Sequence, residues 1–417
     1  MQVFKFGGAS VKNSKEVINV AKLLNDVGYE NTLIVVSAMG KTTNDLELIV
    51  KSYFKDKVNL KQYIENVKLF HNSILVDLFI DMEHPIYKNV KILFNELENF
   101  LIINKSPNYS FVYDQVVGYG ELISTSIIAA YLKDTGISNT WLDVRSIIKT
   151  DHSYRDAKVN WEHTRKNIKE QINDSSLYIT QGFLGSDSNN FTTTLGREGS
   201  DYSAAIFAYC LNAKSVTIWK DVPGVLSADP KIFSDTKLLN QISYEEAIEL
   251  AFYGASVIHP KTLQPLQRKE IKLFVKSFLK PLDKGTCVSK GTQLEPFVPC
   301  FIVKKNQILI SLSSLDFSFI VEENISEIFA LLHLYKLKVD VIQNSAISFS
   351  ICVNDIHNNI EFVLQDLRSK FKVSSNKNVS LFTIRHFTDE ALKIISLGKK
   401  VLLKQEKDNT VQLITSN

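Results

Sequence analysis

Two glycines and a lysine near the N-terminus have the residue types and spacing of an anion-binding site. The segment Val3–Ser10 (VFKFGGAS) begins with strand-forming residues and stops at Gly7 and Gly8, and Lys5 lies near the end of the strand. Glycine lets backbone N–H groups approach a ligand closely, and the start of a following helix adds positive potential. Lys5 would add a mobile positive charge beside these amides. An ordinary strand-to-helix turn with a surface lysine explains the same pattern, so this segment alone leaves both interpretations open.

A second concentration of polar residues precedes a predicted helix in the middle of the chain. The segment Thr192–Asp201 (TTTLGREGSD) combines hydroxyl groups, two glycines, an arginine and carboxylates. Arg197 offers a planar pair of N–H donors that suits a carboxylate ligand. Asp201 is placed either to face a ligand or to cap the helix that we predict over residues 202–211.

Two further segments place polar side chains at the ends of predicted elements. The buried-type strand Thr32–Val36 runs into Ser37–Asn44 (SAMGKTTN), and ligands of open α/β sheets bind at such strand ends. This turn is not a P-loop, because the glycine required five residues before Gly40 is replaced by Val35. Glu121 is predicted in the first turn of a helix, where a carboxylate either complements the helix dipole or reaches a substrate ammonium.

Length and composition exclude several classes of protein. The 417 residues imply two or three domains, and 45% hydrophobic with 22% charged residues is typical of a soluble globular protein. A net charge of +3 does not support nucleic-acid binding, and no apolar run approaches the length of a membrane span. The N-terminus enters a strand rather than a signal peptide, so we expect a cytoplasmic protein. The four cysteines contain no CxxC pair, so neither a disulfide framework nor a zinc site is predicted.

The pattern of the chain changes near residue 290. Before that point predicted strands alternate with helices, which is typical of an α/β protein. The stretch Lys280–Pro299 contains three prolines and two glycines, and we place the domain boundary there. Residues 307–384 then follow the order β-α-β-β-α-β of the split ferredoxin-like unit, and a short helix with two strands closes the chain.

Five motifs, taken together, resemble those of aspartate kinases in order and in approximate spacing. They span about residues 1–290, and the region beyond resembles the ACT regulatory modules of that family. The motifs are Lys5–Val11, Ser37–Asn44, Thr193–Asp201, Asp221–Gly224 and Gly254–Pro260.

The resemblance implies an α/β fold and an activity. The fold would be the three-layer amino-acid-kinase fold with a mostly parallel central sheet at residues 1–290. A ferredoxin-like ACT α+β region would follow at 300–417, as one complete module plus a truncated second. The implied activity is ATP-dependent phosphorylation of the L-aspartate β-carboxylate, with Mg²⁺ carried by ATP. A carboxylate is nucleophilic at neutral pH, so the reaction needs positioning and charge stabilisation rather than a general base.

The resemblance also implies roles for individual residues. Lys5, assisted by Gly8, would neutralise charge on the transferring phosphoryl group, and Asp201 would orient Lys5 and the substrate. Arg197 would hold the α-carboxylate of aspartate and Glu121 would lie near its ammonium group. The implied substrate-binding residues are Ser37, Thr43, Glu121, Arg197 and Ser200. The implied ATP-binding residues are Lys5, Gly7, Gly8, Ser10, Lys220, Asp221, Leu226, Lys231, Ser256 and Val257; no metal-ligating residue of the chain is implied.

Several positions depart from the usual residues of the family. We expect these changes to affect the binding of ATP more than the reaction, and we hypothesise that Lys231 or Lys261 compensates. The departures are Ala9 for threonine, Glu198 for glycine, Lys220 for threonine, Leu226 for an aromatic residue and Ser256 for a nucleotide-binding lysine.

The C-terminal region departs further. The glycine-bearing effector loop of the family has no counterpart between Ser314 and Ile325. We therefore expect this region to serve mainly as the surface of a homodimer, with lysine or threonine as a possible effector. Two other functions stay open: a kinase acting on glutamate or acetylglutamate, and an amino-acid sensor that no longer turns over ATP.

Overall fold

Parallel strands alternate with helices through most of the first 290 residues of the computed structural model, which describes residues 1–55, 57–173, 176–255, 258–316 and 318–416. Residues 1–225, 238–248 and 258–296 form one unit, and residues 226–237, 249–255 and 297–416 form another. From Phe297 onwards, all described residues belong to the second unit, and Phe297 lies within the proline- and glycine-containing stretch.

Two short segments within residues 1–290, 226–237 and 249–255, belong to the second unit. The segment 226–237 joins it through Phe233, whose ring stacks on that of Phe301 with centroids 5.1 Å apart. The Phe301 N–H also donates to the Ser227 carbonyl at 2.7 Å. These contacts join residues about 70 positions apart, so no local pattern predicts them.

The first unit contains an eight-stranded sheet. Its helices and strands are β1 Gln2–Phe6, a 3₁₀ turn Gly8–Val11, α1 Ser14–Val27, β2 Thr32–Val36, α2 Thr42–Lys55, α3 Leu60–Leu78, α4 Pro85–Ile103, α5 Tyr109–Asp134, β3 Thr140–Leu142, α6 Val144–Ile147, α7 Trp161–Gln171, β4 Tyr178–Gln181, β5 Leu184–Ser186, β6 Thr192–Thr194, α8 Gly199–Leu211, β7 Ser215–Lys220, β8 Gln241–Ser243, α9 Tyr244–Tyr253 (which continues into the second unit), α10 Pro260–Arg268, β9 Lys272–Ser277 and β10 Thr286–Ser289.

The order of this sheet is β3-β4-β2-β1-β7-β9-β10-β8, and every pairing is parallel except that of β9 with β10. The predicted mostly parallel α/β sheet is therefore confirmed. All five residues of β2 are buried, because helices cover both faces of such a sheet. Phe6 is in register with Val36 and with Trp219, so the segments that follow β1, β2 and β7 emerge at one edge.

Two elements differ from their predicted form. Helix α5 begins at Tyr109 rather than at Gly118, so Glu121 lies in its middle and not in its first turn. Gly118 and Gly120 do not stop this helix; they let it pack closely, since a Cβ on Gly120 would lie 3.0 Å from the Ala38 side chain. The strand predicted over 177–185 is divided at Gly182 into β4 and β5, and β5 pairs with β6 in a separate two-stranded sheet.

The second unit is built on a six-stranded antiparallel sheet of order β12-β13-β11-β14-β16-β15. This agrees with the predicted α+β class of the region. Its elements are β11 Cys300–Ser314, α11 Glu322–Leu334, β12 Lys338–Asn344, β13 Ser348–Asn354, α12 Ile360–Arg368, β14 Phe371–Arg385, α13 Asp389–Ser396, β15 Lys400–Lys407 and β16 Thr410–Ser416.

The long strands β11 and β14 serve two halves of this sheet. Their register shifts between Lys304 and Leu309, which divides the pairing into two stretches. One stretch completes a split ferredoxin-like unit with α11, β12, β13 and α12. In the other, residues 300–304 lie beside β14, which also pairs with β16. The start of β11 therefore lies beside the part of the sheet in which the sequence predicts a truncated second module.

Across the described ranges, no helix combines the length and the apolar character required to cross a membrane.

Candidate active site

A polar cavity of about 250 Å³ opens where β1 and β2 end and α8 begins. Six of the predicted site residues line it together, although they come from four separate parts of the chain: Lys5, Ser37, Thr43, Glu121, Ser200 and Asp201. Four other residues complete the lining: Phe183, Gly196, Glu198 and Gly199.

An ion pair between Lys5 and Asp201 lies at the base of this cavity. The Lys5 Nζ is 2.7 Å from the Asp201 Oδ1, and the Lys220 Nζ is 3.8 Å from the Oδ2. Burial of Asp201 opposes its ionisation, but the charges of Lys5 and then Lys220 outweigh burial and hold the pKa of this carboxyl below its usual range. Asp201 is therefore an anion that fixes the two ammonium groups on one side of the cavity.

The first turn of α8 supplies the opposite kind of group, a set of backbone N–H donors. The helix begins at Gly199, preceded by Glu198 in the left-handed conformation with φ 55°. A Cβ on Gly199 would lie 2.6 Å from the Phe183 ring, so only glycine allows this approach. Asp201 lies within the first turn and is not the N-cap, a position that Glu198 occupies. Unsatisfied N–H groups and the helix dipole make such a terminus suited to an anionic ligand.

The glycine pair after β1 is packed tightly against the turn after β2. The Gly40 N–H donates to the Gly8 carbonyl at 3.1 Å, and a Cβ on Gly8 would lie 2.7 Å from the Gly40 carbonyl oxygen. A Cβ on Gly7 would lie 3.2 Å from the Lys5 Nζ, so Gly7 leaves room for that ammonium group. Ser10 is buried and its hydroxyl donates to the Trp219 carbonyl at 3.3 Å, which ties the turn to β7.

Glu121 is a buried carboxyl beside these groups. Its Oε1 accepts a hydrogen bond from the Ala38 N–H at 3.3 Å, whereas its Oε2 is buried with no hydrogen-bond partner in the described part of the chain. Burial raises the pKa of Glu121 to about 8, against the opposing effects of the Ala38 N–H and of Lys5. A cationic group entering the cavity would give Oε2 a partner and would favour the ionised form.

We expect Glu121→Gln to remove a large part of the pH dependence of stability. The folded-state pKa is about 8 and the ordinary value is 4.5, so the folded state binds the proton more tightly. The stabilisation is complete below the ordinary pKa and is lost as pH rises through the folded value. Between about pH 5.5 and about pH 8.5, the wild type should lose about 3 kcal/mol more unfolding free energy than the variant.

Urea unfolding of both proteins at the two pH values measures this difference. The buried carboxyl of Asp114, whose pKa is also raised, to about 6, is present in both proteins and so cancels. Parallel pH profiles of the two proteins would contradict the proposed burial of an uncompensated carboxyl.

Arg197 does not line the cavity. It lies exposed in the turn between β6 and α8. Its charge acts on His259, because burial first and then the Arg197 charge lower the pKa of that imidazole. Its role towards a substrate carboxylate stays a prediction. Glu198, which the sequence marked only as a departure, faces the cavity instead.

The turn that carries Arg197 is held by residues that the sequence analysis missed. The buried Asp114 on α5 accepts hydrogen bonds from the Thr194 N–H at 2.8 Å, the Thr194 hydroxyl at 2.9 Å and the Arg155 N–H at 3.0 Å. Gln115 pairs with both backbone groups of Thr192. No sequence signal marks these two residues, because their partners are about 80 positions away.

Lys261 supports the same turn from α10. Its Nζ donates to Asp156 Oδ1 at 2.6 Å and to the Leu195 carbonyl at 3.0 Å, and it lies 5.1 Å from the centroid of the Tyr202 ring. Asp156 also packs closely against Gly196, because a Cβ at that glycine would lie 2.5 Å from the Asp156 Oδ1.

The residues predicted to bind ATP are distributed unevenly. Lys220 ends β7 beside Asp201, and Asp221 follows it in an exposed bend. Leu226 and Lys231 belong to the second unit. Ser256 and Val257 lie outside the described residues.

Among the residues that are described, no three His, Cys, Asp or Glu side chains converge as a metal site.

Comparison with known proteins gives consistent matches over the whole chain. Residues 1–277 match the model of the amino acid kinase family. The chain is 30% identical to the lysine-sensitive aspartokinase 3 of Escherichia coli over 96% of its own length and 89% of that protein. It is 29% identical to the bifunctional aspartokinase/homoserine dehydrogenase of Buchnera aphidicola, of which it spans about half, 49%.

The fold agrees with solved structures of the E. coli enzyme. A crystal structure of aspartokinase III in complex with lysine and aspartate superposes with a TM-score of 0.84 at 26% identity, covering 99% of this chain and 95% of that one. The structure of the same protein with aspartate and ADP gives a TM-score of 0.82 at 25% identity, covering 100% and 96%.

Proposed function

Since this chain belongs to the amino acid kinase family, and within it to the aspartokinases, we propose that it transfers the γ-phosphoryl group of ATP to the β-carboxylate of L-aspartate. The product is 4-phospho-L-aspartate, an acyl phosphate from which lysine, threonine, methionine and diaminopimelate derive. The observation that carries the proposal is the buried ion pair of Lys5 with Asp201, which shares one cavity with Thr43, Glu121 and the first turn of α8.

The charges of the cavity suit both reacting groups. Lys5 is held by Asp201 and faces a site that also presents the N–H groups at the start of α8, so developing negative charge on the transferring phosphoryl group meets fixed positive potential. Glu121 can accept the substrate ammonium at its unpartnered Oε2. Thr43 and Ser37 offer hydroxyl groups to the acceptor carboxylate, which needs no general base because it is ionised at neutral pH.

Nucleotide phosphates fit the cationic side of the site. Lys5 and Lys220 both lie near the Asp201 carboxylate, and the absence of a side chain at Gly7 leaves room for the Lys5 ammonium group. Mg²⁺ carried with ATP supplies further neutralisation of the phosphate charge. Asp201 is engaged by two lysines, so we expect the metal to be bound chiefly by the nucleotide.

A hydroxylamine-trapping assay tests the proposed reaction. Purified protein with Mg-ATP should form the hydroxamate from L-aspartate, and much less from L-glutamate or N-acetyl-L-glutamate. A preference for either of the latter would assign the chain to another acyl-phosphate kinase. No ATP turnover with any of the three, together with retained aspartate binding, would instead indicate an amino-acid sensor.

We expect the two candidate compensating lysines to behave differently. Lys261 is bound to Asp156 and to the Leu195 carbonyl, next to the turn that carries Arg197. Lys261→Met should therefore raise the KM for aspartate about tenfold through loss of positioning, with a smaller effect on ATP. Lys231 is exposed and follows the predicted nucleotide loop, so Lys231→Met should raise the KM for ATP several-fold. Steady-state kinetics with each substrate varied in turn measures both effects, and unchanged ATP kinetics in both variants would end the compensation hypothesis.

The second unit is proposed to form a homodimer. Within it, large apolar side chains are exposed near the loop between β11 and α11, including Phe319 at 70% and Leu315 at 66%. Large apolar side chains left exposed to solvent are often covered by a partner in a protein interface. Light scattering of the purified chain tests for a dimer. Titration with lysine and threonine tests for an effector, since the E. coli relative is named lysine-sensitive.

A further inference from the structure

We propose that Glu198 is a specificity-determining residue of the active site, because its carboxylate competes with the α-carboxylate of L-aspartate for one place in the cavity. When L-aspartate binds, a flip of the Arg197–Glu198 peptide carries Glu198 out and brings Arg197 in. The inference rests on the proposed function and names a residue that sets its acceptor specificity. It also accounts for the exposed position of Arg197 beside Gly196, Glu198 and Gly199, which line the cavity.

Glu198 has a backbone conformation that a glutamate seldom adopts. It is the third residue of a turn that the Gly199 N–H closes by donating to the Gly196 carbonyl at 3.0 Å, and its φ and ψ are 55° and 27°. The left-handed region is unfavourable for a residue with a Cβ, and a turn with positive φ at this position favours glycine or asparagine. The backbone of Glu198 therefore favours a change of conformation.

The peptide between Arg197 and Glu198 is the part of the turn that can rotate. The carbonyls on either side of it are held, because the Gly196 carbonyl accepts from Gly199 and the Glu198 carbonyl accepts from the Tyr202 N–H at 3.1 Å. Within the described ranges, neither the Arg197 carbonyl nor the Glu198 N–H has a hydrogen-bond partner. Rotation of this peptide moves Glu198 out of the left-handed region without breaking a hydrogen bond of the turn.

The charges at the base of the cavity hold the Glu198 side chain inwards. Lys5 and Lys220 lie 2.7 Å and 3.8 Å from the Asp201 carboxylate, so two cations face one anion there. Burial raises the pKa of Asp201, but the charges of Lys5 and Lys220 and then a contact with the Glu198 side chain outweigh it, so Glu198 reaches this group. Its negative charge balances the second cation.

L-Aspartate cannot share this position with Glu198, because its carboxylates would lie beside those of Glu198 and Asp201. Exchange of Glu198 for Arg197 makes the lining more positive by two charges, and the guanidinium supplies paired N–H donors that match a carboxylate. An acceptor without an α-carboxylate gives Arg197 nothing to bind and leaves Glu198 in the cavity. The exchange therefore selects an acceptor that has an α-carboxylate.

Calorimetric titration of the full chain with L-aspartate, without ATP, tests this exchange. Glu198→Gln removes the competing charge and keeps a side chain that disfavours the left-handed conformation, so it should bind L-aspartate at least about tenfold more tightly than the wild type. Glu198→Gly also removes the charge, but glycine accepts the left-handed conformation and the turn loses its tendency to flip. We expect Glu198→Gly to bind about fivefold more weakly than Glu198→Gln.

Two further measurements complete the test. Glu162→Gln is the matched control, because Glu162 is an exposed carboxylate in the first turn of α7 that does not line the cavity, and it should bind as the wild type does. β-Alanine is L-aspartate without the α-carboxylate. Arg197→Gln should weaken the binding of L-aspartate at least about tenfold and leave the binding of β-alanine unchanged.

Three outcomes would overturn the proposal. They are equal Kd values for Glu198→Gln and the wild type, equal Kd values for Glu198→Gln and Glu198→Gly, and a crystal structure with L-aspartate in which Glu198 keeps a positive φ. A wild type that binds L-aspartate and forms the hydroxamate, with variants that bind equally well, would refute the exchange alone. A wild type that does not bind L-aspartate would refute the proposed function and the exchange together.

Discussion

Lys5→Met is expected to reduce kcat for aspartate phosphorylation by about 10³-fold while changing the KM of either substrate much less. The Lys5 ammonium is the cation that Asp201 holds at 2.7 Å inside the cavity. In the proposed reaction, its interaction with the phosphoryl group strengthens as negative charge develops during transfer. Loss of one preorganised electrostatic group of this kind typically costs 10²- to 10³-fold, and loss of a cation at a transferring phosphoryl group costs more.

A second effect of the same substitution must be separated from the first. Removal of Lys5 leaves Lys220, at 3.8 Å, as the ion-pair partner of the fully buried Asp201 carboxylate among the described residues, so the variant should also lose about 3 kcal/mol of stability. The double variant Lys5→Met/Asp201→Asn removes the uncompensated charge. We expect it to recover most of the stability measured by urea unfolding and none of the activity measured by hydroxamate formation.

Conservative substitution provides the matched control. Lys5→Arg keeps the positive charge in a larger group, and it should retain more activity than Lys5→Met while preserving the ion pair with Asp201. Full turnover by Lys5→Met, in a protein that folds normally, would remove the basis of the proposed mechanism.

The positions of the proposed catalytic groups could be predicted where these groups follow the ends of parallel strands. β1 and β2 were predictable from short apolar runs that stop at glycine or at hydroxyl residues, and Phe6 and Val36 do lie in register. Because strands in a parallel sheet share one carboxyl edge, Lys5 and Ser37 had to converge there. Their convergence required no knowledge of the intervening helices.

Groups held by long helices could not be placed in this way. Glu121 lies near the middle of a 26-residue helix, and the glycines before it resembled a helix start. Only the close packing of Gly120 against Ala38 and of Gly118 against Thr192 explains glycine at these positions. Asp114 serves the site through backbone amides of distant segments, and sequence contains no periodic signal for such a contact.

For Arg197 the reverse holds: the motif predicts that it binds the substrate carboxylate, but its side chain does not line the cavity. The motif places it two residues before Gly199, yet it is Gly196, Glu198 and Gly199 that line the cavity while Arg197 is exposed. The backbone of the turn is fixed by Asp114 and Lys261 rather than by Arg197 itself. A contact of Arg197 with aspartate is therefore a matter of side-chain orientation, which the sequence motif cannot specify.

Gly182→Ala is expected to lower kcat/KM for aspartate by at least about 100-fold, although Gly182 contacts neither proposed substrate. Gly182 follows β4 directly. A Cβ added to it would lie 2.5 Å from the Ser200 Cβ and 2.8 Å from the Ser200 Cα. The start of α8 would have to move away from the sheet. Ser200 and Asp201 would move with it, and a displacement of about 1 Å at a reacting centre can cost 10²-fold.

The effect of Gly182→Ala on stability should be smaller than its effect on activity. Gly182 has an ordinary backbone conformation, so the strain arises from the contact with Ser200 and not from the φ angle. Gly136→Ala is the matched control, because Gly136 has φ +86° with no atom within 4 Å of its Cβ position. That variant should lose about 1 kcal/mol of unfolding free energy and keep its kinetic constants. Equal kinetics for Gly182→Ala and the wild type would show that the start of α8 does not position Asp201 for the reaction.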